Sequence, residues 1–334
     1  MKLVSYLTDG HDQLAFLVDN LLYDCDLLHP ELPNSMNMFL HYWNDMYPIA
    51  KQVDDAIKSG RISSDRGIPI EDLEMLPAVP FPTSCRKGYA FRQQVLILRK
   101  QMGLALNETF DQFVGFGFAN HHSIQGPGKI KCMPDHLKQL DVELEAAIII
   151  CKHGRNITAE EADEYIGGFM IMNQLIARKL EIDELQLNPG LGKGKDFAIS
   201  IGACLVTLDE LEQFEVPAKF GHIGKNWNLE MKCAVNGEQI SGGNLSDMDW
   251  TFAELIERCA YGVDLQPGDI ITSGAVSGGF LESNNTHKTN DNNHSEKWLQ
   301  AGDTIEMEID GLGLLFNTIE KEASDFSILD KKKI

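Results

Sequence analysis

The spacing of apolar residues divides the chain into a short first part of strands and helices and a longer part made mostly of strands. KLVSYLT and LAFLVDNLLYD lie on either side of the turn sequence DGHD and predict strands. Residues 36–60 repeat their apolar positions at helical spacing and end in Gly60, which predicts helical structure. We therefore expect a small α+β domain over residues 1–75.

The remainder of the chain predicts a β-rich domain behind a linker. Residues 76–82, LPAVPFP, hold three prolines and are the best linker candidate. From residue 83 to 325 short apolar runs predict strands, and the Asn-Gly pair at 236–237 predicts a two-residue hairpin. Residues 158–161, TAEE, fit the capping-box pattern at a helix start. The expected fold class is α+β, mostly β.

The stretch LDVELEAAIII, residues 140–150, joins an acidic half to an apolar half. Because side chains alternate faces along a strand, Asp141, Glu143 and Glu145 share one face, with neighbouring Cα atoms roughly 6.6 Å apart. Two carboxylates at that spacing can hold one cation. By spacing alone an edge strand with an acidic face toward water is the favoured interpretation, and a cation site is the alternative.

Composition narrows the class of partner and the compartment. The formal net charge of −21 disfavours nucleic acid and anionic membranes, because both would be repelled. Seven scattered cysteines without a CxxC pair are typical of reduced thiols, not of a zinc or disulfide framework. The first residues lack the apolar core of a signal peptide, and no apolar run approaches the ~20 residues of a membrane helix. We expect a soluble cytoplasmic protein.

Five segments, taken in their order along the chain, carry a family resemblance. They are DVELEAAIII, a strand ending in MIMNQLIAR, GKGKDFAIS, PGDIITSGAVSGG and GDTIEMEIDGLGLLFN. This order resembles the fumarylacetoacetate hydrolase family over roughly residues 77–320. The resemblance implies a mixed β-roll catalytic domain that usually forms a homodimer. It also fits a smaller N-terminal domain, which some members have.

The resemblance implies a site residue by residue. The family's metal-binding Glu-x-Glu pair matches Glu143 and Glu145, and Mg²⁺, Mn²⁺ or Ca²⁺ suits such oxygen ligands. The metal would polarise a 1,3-dicarbonyl in a small carboxylate substrate while a C–C bond breaks. Asp141 lies outside this pair, and we expect a solvated acid. The other catalytic or substrate-binding matches are Lys195 (with Lys193 as a competing assignment), Arg178, Tyr89, Gly274, Ala275 and Glu282.

Three positions depart from the family pattern where the chemistry takes place. Gln174 replaces an aspartate that is the third metal ligand, although its carbonyl oxygen can still ligate. Lys87 replaces another aspartate ligand, and its charge weakens attraction for a metal. We therefore predict that Lys87 pairs with Glu143 or Glu145, so that metal binding is weak or absent.

The third departure removes the general base. Gln94 stands where the family has a histidine, and an amide cannot accept a proton at neutral pH. His122, or His121 beside it, would replace that base if the loop lines the pocket. Under a different alignment Asp111 would supply an acid instead.

Two classes of function follow. The first is a metal-dependent hydrolase that cleaves a C–C bond in a β-dicarbonyl or acylpyruvate-type carboxylate, with a hydratase or decarboxylase as variants on the same scaffold. The second is a degenerate family member that binds a small carboxylate without turnover. Uptake of Mg²⁺ or Mn²⁺ by the purified protein would discriminate between them.

Overall fold

The computed structural model describes residues 1–101, 108–187, 192–276, 281 and 297–331. The helices are α1 (Cys25–Leu28), α2 (Met36–His41), α3 (Trp43–Lys58), α4 (Arg92–Gln101), α5 (Ala159–Ala162), α6 (Arg178–Leu185) and α7 (Phe252–Ala260). The strands are β1 (Lys2–Thr8), β2 (His11–Val18), β3 (Leu21–Asp24), β4 (Ile68–Pro69), β5 (Glu74–Met75), β6 (Ser84–Gly88), β7 (Phe116–Ala119), β8 (Ile124–Gln125), β9 (Gly128–Cys132), β10 (Leu140–Ile150), β11 (Gly154–Arg155), β12 (Ile166–Ala177), β13 (Ile199–Ile201), β14 (Cys204–Val206), β15 (Glu215–Pro217), β16 (Lys225–Trp227), β17 (Glu230–Val235), β18 (Glu238–Asn244), β19 (Asp264–Leu265), β20 (Asp269–Thr272), β21 (Thr304–Ile309) and β22 (Gly313–Lys321). None of these helices is long and apolar enough to cross a membrane.

Two large sheets dominate the described part of the chain. The larger has the order β4-β3-β2-β1-β14-β12-β10-β20-β6-β7, with β5 beside β1 and β13 between β12 and β8. The smaller has the order β18-β17-β21-β22-β9. Most neighbouring strands are antiparallel, but β6 pairs in parallel with β20, β8 with β13, and β9 with β22. The α+β, mostly β fold class expected from the sequence is confirmed.

The N-terminal strands extend the larger sheet, because β1 pairs antiparallel with β14 through Leu3 and Leu205. The proline-rich segment between the two expected domains is packed: Ala78 and Val79 are fully buried in the same apolar cluster as β1. One continuous sheet runs across the domain boundaries expected at residues 75 and 83. Those boundaries stay a prediction.

The strand β10 lies in the middle of this sheet, and each of its residues is buried. Val142, Leu144 and Ala146 face one apolar cluster, whereas Ala147 and Ile149 face another on the opposite side of the sheet. The interpretation as an edge strand with a wet acidic face is therefore wrong. Apolar side chains fill both faces, and the three acids occupy one end of one face.

Strand pairing brings the site residues onto neighbouring strands. Glu143 on β10 pairs with Gln174 on β12, and Ala147 pairs with Thr272 on β20. Thr272 in turn pairs with Lys87 on β6. Four strands that are distant in sequence thus place acids, an amide, a hydroxyl and an ammonium at one end of the sheet.

Candidate functional site

The core of the site is an ammonium between two carboxylates. The Nζ atom of Lys87 contacts Glu143 Oε2 and lies 2.6 Å from Glu145 Oε1. Thr272 donates its hydroxyl to the other oxygen of Glu145. Lys87 is only 4% exposed and both glutamates are fully buried. The pairing predicted from the sequence, Lys87 with Glu143 or Glu145, is confirmed with both glutamates.

A second layer of charge surrounds Glu143. Lys195 Nζ lies 3.4 Å from both of its carboxylate oxygens, and Arg178 Nη2 lies 3.8 Å from Oε1. Arg178 also binds Asp141 at 3.0 Å and Glu181 at 2.8 Å. These groups are all buried. The structure therefore brings together the glutamate pair, Lys195 and Arg178, as their order along the chain suggested.

The burial of Asp141 differs from what the sequence predicted. It is fully buried, whereas the sequence suggested a solvated acid. One of its oxygens accepts from Arg178 and the other from the backbone amides of Val142 and Leu281. Asp141 therefore holds Arg178 and the backbone at Leu281 in place. Water does not solvate it.

A cavity of about 620 Å³ opens beside this cluster. Its polar lining comes from Lys87, Tyr89, Gln174, Lys195 and Asp196. Residues 116–120 continue the lining from β7, the strand that pairs with β6 beside Lys87. The amide nitrogen of Gln174 donates to the backbone carbonyls of Lys195, Leu175 and Ala198, so its carbonyl oxygen is the end that a ligand can use. A small anionic molecule would meet two ammonium groups here.

Burial and neighbouring charges separate the pKa values of the two glutamates. Burial alone would raise the pKa of Glu143, but Lys195, Lys87 and Arg178 outweigh it and lower the pKa to about 2. Burial raises the pKa of Glu145, although Lys87 and the Thr272 hydroxyl bond oppose that shift. Glu143 therefore holds its negative charge firmly, and Glu145 less so.

The pKa values of the two lysines are shifted in opposite directions. Burial alone would lower the pKa of Lys87, but Glu143 and Glu145 outweigh it and raise the pKa above its usual range. Burial lowers the pKa of Lys195, Glu143 opposes this, and the charge of Lys87 adds to it. Lys87 is thus a fixed cation. Lys195 gives up its proton more readily than an ordinary lysine does.

The donor set does not fit a divalent metal ion. Lys87 already lies against both carboxylates that would bind the ion, and Gln174 contributes an amide where the resemblance has an acid. A divalent ion 4 Å from an ammonium is repelled by about 8 kcal/mol at an effective dielectric of 20. Within the described part of the chain, no group of three or more His, Cys, Asp or Glu side chains is arranged to hold a metal.

Several expected residues lie outside the cluster. Gly274, with a φ of +79°, packs so closely on the Gly88 carbonyl that a Cβ atom would clash. Ala275 is buried, and neither residue lines the cavity. His122 is exposed in a turn, where its ring lies 4.2 Å from that of His121. Glu282 lies outside the described residues.

The structure distinguishes between the competing assignments for the site lysine and the alternative acid. Lys193 is exposed and pairs with Asp196, so Lys195 is the lysine that reaches the cluster. Asp111 forms an exposed pair with Arg92 and does not contact the glutamates. The position of Lys87 supports the alignment of its segment. The roles of these residues in binding and catalysis remain predictions.

Gln94 is buried, and neither atom of its side-chain amide has a hydrogen-bond partner among the described residues. Its carbonyl oxygen lies 2.8 Å from the position that a Cβ atom on Gly274 would occupy. An amide left without partners costs roughly 1–3 kcal/mol for each group. The position of the family's base therefore holds a polar group that cannot take up a proton at neutral pH.

Sequence reasoning missed Glu181 and Thr272. Glu181 binds Arg178 three residues earlier on α6 and lies 3.5 Å from Lys195. The spacing of three between Arg178 and Glu181 is a helical signal that was available. Thr272 directly precedes Ser273 and Gly274, and only strand pairing shows that its hydroxyl meets Glu145.

Comparison with known proteins agrees with this architecture. Residues 86–320 match the family described as "Fumarylacetoacetate (FAA) hydrolase C-terminal". The chain therefore belongs to the fumarylacetoacetate hydrolase family, as the resemblance suggested, and relatives within this family are enzymes.

Three individual proteins illustrate the relationship. A fumarylacetoacetate hydrolase domain-containing protein 2 homolog of Dictyostelium discoideum is 24% identical over 96% of this chain and 97% of its own. An oxaloacetate tautomerase of Bacillus subtilis is 32% identical over 59% of this chain, and the match spans just over half, 58%, of that enzyme. The structure of maleylpyruvate hydrolase from Sphingobium sp. SYK-6 with manganese(II) and pyruvate has a TM-score of 0.68 and 19% identity, covering 96% of this chain and 99% of its own.

Proposed function

We propose that this protein is an enzyme that interconverts the keto and enol forms of a small 2-oxo carboxylic acid without a bound metal ion. The observation that carries this proposal is the Lys87 ammonium, fixed between Glu143 and Glu145 on the wall of a cavity that Lys195 also lines. The similarity to an oxaloacetate tautomerase supports the same reaction class.

Lys87 would stabilise the charge that develops on the substrate. When a proton leaves the carbon beside a ketone, the ketone oxygen becomes negative, and a fixed cation in a dry site lowers the energy of that state. An ammonium has three N–H donors, of which Lys87 gives one to Glu143 while it also forms an ion pair with Glu145. A donor remains for a substrate oxygen.

Lys195 is the better placed proton carrier. Its contacts with Glu143 are 3.4 Å, looser than the contacts that hold Lys87, and it lines the same cavity. The lowered pKa of Lys195 agrees with this role. Tyr89 would donate to a carboxylate or ketone oxygen, because burial raises the pKa of its phenol and keeps it protonated. Keto–enol exchange moves one proton and consumes no co-reactant.

Hydrolytic C–C cleavage, the reaction expected from the sequence, is the second candidate. It needs a bound electrophile and an activated water, and the positions for those groups hold Lys87 and Gln94. Hydration or decarboxylation stays a variant of this candidate, and binding without turnover is the outcome if neither reaction occurs. The homodimer implied by the family also remains a proposal.

The experiment follows the ultraviolet absorbance of enol oxaloacetate as it decays to the keto form, with purified protein in excess EDTA. We expect exchange well above the buffer rate. Lys195→Met should lower the rate constant by about 10²–10⁴-fold, the usual contribution of a general base. Lys193→Met, an exposed neighbour in the same loop, is the matched control.

Product analysis with an acylpyruvate distinguishes the candidates. Release of pyruvate would show C–C cleavage and would favour the second candidate. Failure to accelerate either reaction, with or without added Mn²⁺, would refute the enzyme proposal and leave ligand binding.

A further inference from the structure

We propose that Lys87 acts as a built-in cation in the position of the family's divalent metal, and that this single side chain keeps the site closed to metal ions. The proposal is independent of which reaction the cavity supports. It concerns what neutralises the Glu-x-Glu pair in this chain.

The ammonium of Lys87 occupies the space between the two glutamates. Lys87 Nζ contacts one oxygen of each glutamate, at 2.6 Å for Glu145, so the ammonium lies between the two carboxylates that would share a cation. The side chain reaches this point across Thr272, its partner in the parallel pair of β6 and β20. The pairing of β6 with β20 therefore fixes the side from which the Lys87 ammonium approaches the two glutamates.

The charges in the cluster are nearly balanced without a metal. Asp141, Glu143, Glu145 and Glu181 face Lys87, Lys195 and Arg178, and all seven groups are buried. A divalent ion would have to displace Lys87 or lie beside it. Leaving would cost Lys87 its ion pairs with both buried glutamates, so the ammonium holds the pair against a competing ion.

Gln174 contributes to the same result. It pairs across the strands with Glu143, and its amide nitrogen is held by three backbone carbonyls. No carboxylate replaces the one that the resemblance places here. The carbonyl oxygen of Gln174 nevertheless remains a neutral oxygen ligand that a metal can use once Lys87 is gone.

The test measures Mn²⁺ binding by isothermal titration calorimetry on EDTA-stripped proteins. Wild type should bind at least tenfold more weakly than Lys87→Asp, which removes the competing charge and adds a ligand. Lys87→Met removes the charge alone and should lie between them. Lys129→Asp makes the same change of charge at a side chain that is 71% exposed, and it should match wild type.

Thermal unfolding provides a second readout that does not depend on activity. Mn²⁺ should raise the melting temperature of Lys87→Asp and leave wild type unchanged. If Lys87→Asp does not fold, Lys87→Met decides: binding tighter than wild type supports the proposal, and equal binding overturns it. Wild type that binds Mn²⁺ as tightly as Lys87→Asp also overturns it. Metal-dependent tautomerisation by wild type would overturn this inference and the metal-free part of the proposed function, while keto–enol exchange itself would stand.

Discussion

At the scale of single residues, the buried cluster combines charged groups, each of which would be costly to bury without its partners. A buried ionic group is tolerated when its partners satisfy it, and removing one partner is expensive because the other charge is left behind. Asp141 and Arg178 illustrate this, since both are buried and two atoms of the guanidinium lie 3.0 Å from one carboxylate oxygen.

Asp141→Asn should therefore lower the free energy of unfolding by about 2 kcal/mol. This is less than the 3–5 kcal/mol of a fully broken buried pair, because Glu181 still binds Arg178. Asp55→Asn is the control, as its pair with Lys51 is half exposed and should contribute less than about 0.5 kcal/mol. Urea denaturation of both variants checks the difference, and equal losses would contradict the assigned role of Asp141.

At the scale of elements, two helix starts with similar sequences differ in structure. Thr251 and Glu254 form a reciprocal capping box at the start of α7. The pattern at residues 158–161 predicted the same device for α5, but Thr158 makes no side-chain capping bond there. That prediction is wrong. The four-residue helix α5 has its first turn against α7, where Glu257 accepts from the amide of Ala159.

The two threonines give a matched pair of variants. Thr251→Ala should lower the free energy of unfolding by about 1 kcal/mol, because the Glu254 amide loses its acceptor. Thr158→Ala should change it by less than about 0.3 kcal/mol, since no side-chain cap is lost. Thermal denaturation compares them. A larger loss at position 158 would mean that the hydroxyl there has a partner in solution.

At the scale of the whole molecule, acid should destabilise the fold partly through one histidine. The ring of His136 stacks on Phe197 at 3.8 Å and accepts from the Met133 amide. Burial, helped by the charge of Lys193, lowers the pKa of His136 from 6.5 to about 4. Because the unfolded chain takes up this proton first, stability is complete above pH 6.5 and falls as pH decreases toward 4.

Since each pKa unit corresponds to about 1.4 kcal/mol, the loss should not exceed about 3 kcal/mol. Urea midpoints between pH 7 and pH 4 measure it. His136→Asn keeps an acceptor for the Met133 amide without titrating, so its stability should vary less over this range. The same slope in both proteins would assign the effect to other groups.

Much of the fold follows from local sequence. Strong signals predicted the hairpin at Asn236-Gly237, where both residues adopt positive φ between β17 and β18. The helical spacing of residues 36–60 corresponds to α2 and α3. Turn chemistry and hydrophobic period act within a few residues, and so the sequence alone determines them.

The sequence also determined that Glu143 and Glu145 share a face and that Lys87 replaces an acid in the family pattern. Only the tertiary structure decided that β10 is central, that Asp141 is buried and that Lys87 meets both glutamates. The physical reason is strand pairing. Contacts between residues 56 positions apart along the chain, such as Lys87 and Glu143, depend on which strands become neighbours, and no local pattern specifies that order.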